Sequence, residues 1–152
     1  MISNSKDNVW MTDSLMLAKK ASMCGEVPVG ACVVYKDLCI ARSYNKTITN
    51  NDPCAHAEVL AIKEAAKYIK NHRLVGCTLY VTLEPCLMCI GAVIQARISR
   101  LVYAAQDTRI GILTKNKISS ILSEANHSFI IDSGILAKES SKLLQDFFLN
   151  KR

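Results

Sequence analysis

Four residues in two short motifs have the types and the spacing that hydrolytic metal chemistry needs. His56 and Glu58 are two positions apart, and Cys86 and Cys89 form a Cys-x-x-Cys pair directly after Pro85. One neutral imidazole and two thiolates balance the charge of a zinc ion, and three protein ligands leave the fourth tetrahedral position free for water. We therefore predict that His56, Cys86 and Cys89 bind one zinc ion in an open, catalytic site.

Glu58 is the predicted proton carrier of this site. Zinc lowers the pKa of a bound water toward neutrality, which produces a nucleophile able to attack an aromatic carbon that bears an amino group. Glu58 would take the proton from that water, pass it to the ring nitrogen beside the attacked carbon, and then protonate the departing amine. The pattern His-x-Glu followed by Pro-Cys-x-x-Cys is the signature of zinc nucleobase deaminases, so the sequence predicts a hydrolytic deaminase.

Each motif opens a predicted helix after a turn that contains proline. Residues 56–69 carry a one-sided apolar stripe, and residues 86–96 form an apolar helix that follows the β-prone segment 78–83. Side chains two positions apart in mid-helix point to nearly opposite sides, so His56 and Glu58 can share a site only at a helix end. Two helix N-termini aimed at one point would also favour the thiolates that zinc requires.

Helical and strand patterns alternate along the whole chain. Further helices are predicted at residues 7–24, 118–125 and 138–148, and further strands at residues 30–35, 38–44, 101–105 and 129–131. Such alternation favours a sheet covered by helices on both faces, with some parallel pairing. We predict an α/β fold, a three-layer α/β/α sandwich around a mixed sheet of about five strands, with residues 1–152 as one domain.

The composition limits the expected cellular location and the expected binding partners of the protein. The chain of 152 residues is 50% hydrophobic and 21% charged, which favours a folded domain over disorder. It contains no apolar run long enough to cross a membrane and no export signal at its start, so we expect a cytoplasmic protein with no membrane partner. The formal charge of +6 favours an anionic partner such as nucleic acid.

Two alternatives to a catalytic zinc site remain open. Cys54 is a chemically reasonable fourth ligand, which would close the site and make the zinc purely structural. The Cys-x-x-Cys pair could also be a redox motif at a helix start, although such a motif needs neither His56 nor Glu58. The other four cysteines are predicted to be small core residues: Cys24, Cys32, Cys39 and Cys77.

The chain resembles the tRNA-specific adenosine deaminases, which convert the wobble adenosine of certain tRNAs to inosine. The resemblance runs nearly from end to end. It rests on Pro28-Val29-Gly30-Ala31, Asn45, Asp52-Pro53-x-Ala55-His56-Ala57-Glu58, Thr82-Leu83-Glu84-Pro85-Cys86-x-Met88-Cys89-x-Gly91-Ala92, Arg97-Ile98, Asp107, Asn126-His127, Gly134-Ile135-Leu136 and Leu144-x-x-Phe147-Phe148.

This resemblance implies a cytidine-deaminase-like fold, a homodimer and a tRNA anticodon stem-loop as the partner. It also implies that Asn45 contacts the flipped-out adenine and that Val29 helps to wall the base pocket. Asp107 and the helix that carries Phe147-Phe148 would lie near the RNA. The complete set of implied substrate-binding residues is Val29, Asn45, Ala55, Glu84, Asp107 and Phe148.

Some positions depart from the family pattern. Gln106 stands where a basic residue is usual, residues 112–115 replace a loop of small residues, and Cys54 stands where threonine is common. Guanine deaminases share much of both motifs and are the second candidate, although they usually differ just before Pro85. Cytidine deaminases usually have cysteine at the position of His56 and are the third.

Overall fold

A computed structural model describes residues 5–151 of the chain. Helices and strands alternate through these residues, as the sequence predicts. The elements in chain order are α1 (Ser5–Met23), β1 (Gly30–Tyr35), β2 (Leu38–Tyr44), α2 (Ala57–Ile69), β3 (Thr78–Leu83), α3 (Leu87–Gln95), β4 (Arg100–Ala105), α4 (Ser119–Glu124), β5 (Ile130–Ser133) and α5 (Ala137–Leu149).

The strands form one mixed sheet of five strands in the order β2-β1-β3-β4-β5. Strand β1 pairs antiparallel with β2 and β3, whereas β3, β4 and β5 run parallel. The β1–β2 hairpin turns at Lys36 and Asp37, which both have positive φ angles of 50° and 61°. Two consecutive positive φ values match the tight hairpin turn that suits the twist of antiparallel strands. The predicted mixed sheet is confirmed.

Helices cover both faces of the sheet, and alternate strand residues face different helices. On one face, Val33, Leu79 and Leu101 belong to the larger apolar cluster, which includes residues of α2 and α3. On the other face, Cys32, Tyr80 and Val102 belong to a smaller cluster with residues of α1, and α5 packs on the same side through its contacts with α1, β3 and β4. The three-layer α/β/α sandwich is therefore confirmed.

The start of β1 lies unusually close to α1. A Cβ atom on Gly30 would overlap the carbonyl oxygen of Ser14 and come within 2.7 Å of the Ala18 nitrogen, so only glycine fits there. The Gly30 N–H donates to Thr82 Oγ1 at 3.1 Å, which ties the start of β1 to β3. These contacts hold Val29, the residue before the strand, at the edge of the sheet where β3 ends.

The predictions for the four other cysteines are confirmed in part. Cys32 and Cys77 are buried, and Cys39 is half-buried. Cys24 is exposed, so the prediction of a core residue is wrong there. Cys24 lies just after α1, in a turn where its N–H donates to the carbonyl of Ala21, and this position past the end of the helix leaves it exposed. In residues 5–151, no helix combines the length and the apolar character that a bilayer span needs.

Candidate metal centre and active site

Two helix starts meet at the edge of the sheet where β3 ends. His56 is the N-cap of α2 and Cys86 is the N-cap of α3, and both have extended backbone angles. Neither side chain caps its own helix. The His56 and Cys86 side chains are therefore free to point away from their own helices. For this reason His56 can share a site with Glu58, and Cys86 can share a site with Cys89. Cys89 follows in the first turn of α3.

The His56, Cys86 and Cys89 side chains converge on one point. The Nδ1 atom of His56 lies 3.6 Å from the Sγ of Cys86 and 3.5 Å from the Sγ of Cys89. The two sulfurs are 3.7 Å apart. Bonds of about 2.3 Å to sulfur and about 2.0 Å to nitrogen, meeting at tetrahedral angles, separate the ligand atoms by roughly 3.5 to 3.8 Å. The donor atoms and their spacing therefore fit a metal ion, and they have the soft and borderline character that zinc prefers.

Cys54 does not join this group. Among residues 5–151, the group of histidine, cysteine and acidic side chains close enough to hold a metal ion consists of His56, Cys86 and Cys89. The N–H of Cys54 donates to Asp52 Oδ1 at 2.9 Å, and the Cys54 side chain is exposed. This local turn places the side chain in solvent, so the alternative of a fourth ligand that closes the site is not supported.

The contact between the two sulfurs shifts the pKa values of Cys86 and Cys89 in opposite directions. The hydrogen bond between Cys86 and Cys89 lowers the pKa of Cys86 to about 4, against the opposing effect of burial. The same hydrogen bond, together with burial, raises the pKa of Cys89. The hydrogen bond to Cys86 also raises the pKa of His56. A metal ion held by this group would displace the remaining thiol proton, since a coordinating thiol is deprotonated.

Glu58 lies beside this group, in the first turn of α2. Only 4% of its surface is exposed, and burial raises its pKa despite hydrogen bonds from its own backbone N–H and from Cys89. A carboxyl group with a raised pKa is suited to taking up and releasing a proton near neutral pH. The alternative redox interpretation gives Glu58 no such role.

A cavity of about 250 Å³ opens beside His56, Cys86 and Glu58. This volume is below the usual range for drug-sized ligands and suits a single nucleobase. Its lining consists of Val27, Val29, Asn45, Thr47, His56, Glu58, Leu83, Glu84, Cys86, Asp107 and Ile110.

Four of the six residues expected to bind substrate line this cavity: Val29, Asn45, Glu84 and Asp107. Val29 and Asn45 come from opposite ends of the hairpin, and the Asn45 N–H donates to the Val29 carbonyl at 3.0 Å. This backbone bond places the Asn45 side chain, which is 7% exposed, next to Val29 in the wall.

Ala55 and Phe148 lie outside the lining of this cavity. Ala55 is fully buried, and its carbonyl accepts a hydrogen bond from the Lys46 N–H at 3.0 Å. Phe148 lies on α5 and lines an adjoining depression with Val27, Leu83 and Asp107. Its ring is 42% exposed, and the Arg109 guanidinium lies 5.8 Å from the ring centre.

Glu26, which the sequence analysis missed, is a fully buried carboxylate that holds one wall of the cavity. It accepts hydrogen bonds from the backbone N–H groups of Ile48 and Thr49 and from the hydroxyls of Thr47 and Thr49, at 2.7 to 3.4 Å. It anchors the segment after Asn45 in this way. The signal that could have found it is an acidic residue directly before the apolar Val27-Pro28-Val29 segment that leads into β1.

Comparisons with known proteins show that the chain is similar to deaminases. Residues 5–152 match the family model described as MafB19-like deaminase. The tRNA-specific adenosine deaminase of Buchnera aphidicola subsp. Baizongia pistaciae is 42% identical over 98% of this chain and 92% of its own. A tRNA:A34 deaminase from a study of A-to-I editing at the wobble position superimposes with a TM-score of 0.85 and 40% identity, covering 90% of this chain and 99% of that one.

A guanine deaminase from Bacillus subtilis is less similar. It has a TM-score of 0.65 and 28% identity, over 97% of this chain and 95% of its own. The higher identity to the adenosine-specific relative, over nearly the full length of both chains, separates the two groups. This chain belongs to the tRNA-specific adenosine deaminase family.

Proposed function

We propose that this protein hydrolyses the wobble adenosine of tRNA to inosine and releases ammonia. The observation that carries the proposal is that three metal-binding side chains and a buried glutamate face one cavity of single-base size. The reaction follows from that arrangement, because a zinc deaminase needs a metal-activated water and a proton carrier beside the base. The choice of a tRNA substrate follows from the family.

We infer that the metal is one zinc ion per chain, held by His56, Cys86 and Cys89. When bound, zinc supplies a water acidic enough to act as a nucleophile near neutral pH. Glu58 then carries protons: its carboxylate accepts one from the attacking water and delivers it to the ring nitrogen beside the amino-bearing carbon. It would then take the second proton of the former water from the hydroxyl now bonded to the carbon, as the C=O of inosine forms, and pass it to the amino group, which leaves as ammonia.

The cavity wall would select and orient the base. The Asn45 amide can both donate and accept hydrogen bonds, so it suits the polar edge of an adenine, while Val29 offers an apolar surface to the ring. Ala55, which is fully buried and precedes His56, would support the turn that carries His56. Asp107 and Phe148, in the adjoining depression, would meet the nucleotides next to the target.

The anticodon stem-loop is the proposed partner, and the formal charge of +6 is consistent with an anionic one. We also propose a homodimer and a cytoplasmic location. Leu87 and Met88 at the start of α3 are 55% and 37% exposed, which leaves apolar surface close to the metal-binding group for a second subunit to cover.

The test is to incubate the zinc-loaded protein in parallel with an anticodon stem-loop that contains the wobble adenosine, with guanine and with cytidine. We expect inosine from the stem-loop and neither xanthine nor uridine from the other two. Xanthine as the product, without inosine, would replace the proposal with a guanine deaminase. Bound zinc with no product from any of the three substrates would refute the enzymatic function.

A further inference from the structure

A single buried carboxyl group accepts hydrogen bonds from both ends of the loop after β4. Glu84, which is 3% exposed, accepts the Asp107 N–H at 3.2 Å at the beginning of the loop. At the end of the loop it accepts the N–H groups of Leu113 and Thr114 at 3.0 and 3.3 Å and the Thr114 hydroxyl at 2.6 Å. Glu84 therefore joins both ends of residues 107–114.

These four hydrogen bonds use the acceptor capacity of Glu84. A carboxylate offers about four acceptor sites on its two oxygens, and here four donors from the loop are bound to them. An additional hydrogen bond to a base or a ribose would have to displace one of the donors. The position of Glu84 in the cavity wall is thus better explained by its hydrogen bonds to the loop than by a direct contact with the substrate.

The anchored loop in turn shapes the cavity. Asp107 and Ile110 both contribute to the cavity lining. The side chain of Asp107 accepts the N–H groups of Arg109 and Ile110 at 3.0 and 3.2 Å, so the position of the Asp107 backbone sets that of the following turn. If the Glu84 side chain moved, the Asp107 backbone would move with it, and so would Ile110 at the cavity.

Gly111 shows how closely this loop packs on the carboxylate. Its N–H donates to the Asp107 carbonyl at 2.8 Å. A Cβ atom at this position would overlap the same carbonyl oxygen and lie 3.0 Å from both carboxylate oxygens of Glu84. A side chain here would force the loop away from Glu84.

We propose that Glu84 is a positioning residue that fixes residues 107–114 as the substrate-facing wall and so determines how tightly the RNA is held. The reacting groups come from other elements, namely His56 and Glu58 on α2 and the two cysteines on α3. Loss of the anchor therefore affects the binding of substrate more than the reaction itself. The inference rests on the proposed function, because the wall is defined by the substrate of that site.

The first test is Glu84→Gln, with Glu64→Gln on the exposed face of α2 as a control for the loss of one negative charge. The amide keeps one acceptor oxygen but turns a donor toward loop N–H groups. Two lost bonds of about 1 kcal/mol each correspond to an increase of roughly 10- to 30-fold in KM for the stem-loop. We expect kcat within about 2-fold of the wild-type value and an unchanged zinc content, and a wild-type KM in the control.

A second pair of variants guards against misfolding of Glu84→Gln. Thr114→Val keeps the shape of the side chain but removes the hydroxyl that bonds Glu84 and lies 3.1 Å from the Tyr103 hydroxyl. Thr114→Ser keeps the hydroxyl. The valine variant loses the hydrogen bonds to both Glu84 and Tyr103, which predicts an increase of roughly 10- to 30-fold in KM, whereas the serine variant should stay close to wild type.

A third measurement tests the hydrogen bonds between Glu84 and the loop and does not depend on enzymatic activity. Hydrogen exchange at the backbone amides of Asp107 and Leu113 should become faster in Glu84→Gln and stay unchanged in Glu64→Gln. This readout applies even if the wild-type protein deaminates no stem-loop, so failure of the proposed function is distinguishable from failure of the inference. Unchanged exchange and KM in a folded Glu84→Gln protein would overturn it, as would a fall in kcat at constant KM.

Discussion

The Sγ atom of Cys86 lies 3.6 Å from the Nδ1 atom of His56, although the two residues are 30 positions apart in the chain. Each residue is the cap of a different helix, and both helices begin at the edge of the sheet where β3 ends. The contact is therefore a product of the fold. It brings together the two halves of a motif that neither helix could complete alone.

Replacement of Glu58 by alanine is expected to separate metal binding from catalysis. Glu58 is not one of the three grouped donors, so the variant should retain one zinc per chain. Loss of the proton carrier should lower kcat on the stem-loop by about 10²- to 10⁴-fold. Metal analysis and ammonia release measure the two effects, and Glu64→Ala is the surface control. Full activity in Glu58→Ala would remove Glu58 from the mechanism.

Replacement of Cys86 by serine is expected to remove the metal and lower stability together. The change takes away one of three donors, and the free energy of metal binding contributes to the stability of the folded state. Zinc content and thermal unfolding are the measurements. Cys54→Ser is the matched control, since its exposed sulfur lies outside the group. If Cys54→Ser lost zinc and stability while Cys86→Ser kept both, Cys54 would be the ligand in place of Cys86.

Replacement of Asn45 by alanine tests base recognition. The side chain is 7% exposed and lines the cavity, so its loss should leave polar groups of the substrate unpaired. We expect kcat/KM for the stem-loop to fall by about 10- to 100-fold while zinc content is preserved. Asn50→Ala in the exposed part of the same loop should behave as wild type. Equal kinetics for the two variants would show that Asn45 serves only the turn.

The buried carboxylate of Glu26 predicts a pH dependence of stability. Although burial alone would raise its pKa, hydrogen bonds from Thr49, Ile48 and Thr47 outweigh that effect, and the pKa of Glu26 is lowered. A group whose pKa is lower in the folded state stabilises the protein above its unfolded pKa, near 4.3, and this contribution is lost as the pH falls through the folded value.

Glu26→Gln should therefore lower the Tm at pH 7, and its difference from the wild type should shrink on acidification below about pH 4. Thermal unfolding of both proteins between pH 7 and pH 3 measures this, with Glu139→Gln on the exposed surface as the control. A difference that stays constant across the range would mean that the charge of Glu26 is not what holds the loop.

Asp7 is expected to matter for stability far from the active site. It is 1% exposed and accepts two hydrogen bonds from Arg100, at 2.8 and 2.9 Å, and one from the Tyr80 hydroxyl at 2.6 Å. Because Arg100 is partly exposed, Asp7→Asn should lower the free energy of unfolding by about 2 to 3 kcal/mol, less than for a fully buried pair.

Denaturant unfolding measures this loss. Asp13→Asn removes an exposed ion pair with Arg42, whose atoms are 3.4 Å apart, and should change stability by less than about 1 kcal/mol. A similar loss of free energy of unfolding in the two variants would show that burial of Asp7 does not increase the contribution of its ion pair to stability.

The order and the boundaries of the elements could be predicted because they depend on local patterns. The apolar stripe of α2 and the alternation of β-prone and helical segments are properties of neighbouring residues, and the structure contains each predicted helix and strand. Cys24 was placed wrongly because it lies just past the end of α1, where a local pattern no longer says which way a side chain points.

The sequence by itself determined the chemistry, because His-x-Glu and Pro-Cys-x-x-Cys specify donor types and a proton carrier whatever surrounds them. Only the tertiary structure decided which other residues share that site. It leaves Cys54 in solvent, buries Ala55 outside the cavity lining, and uses Glu26 and Glu84 to anchor two loops. These outcomes depend on distances between residues far apart in the chain, which are set by the packing of helices on the sheet.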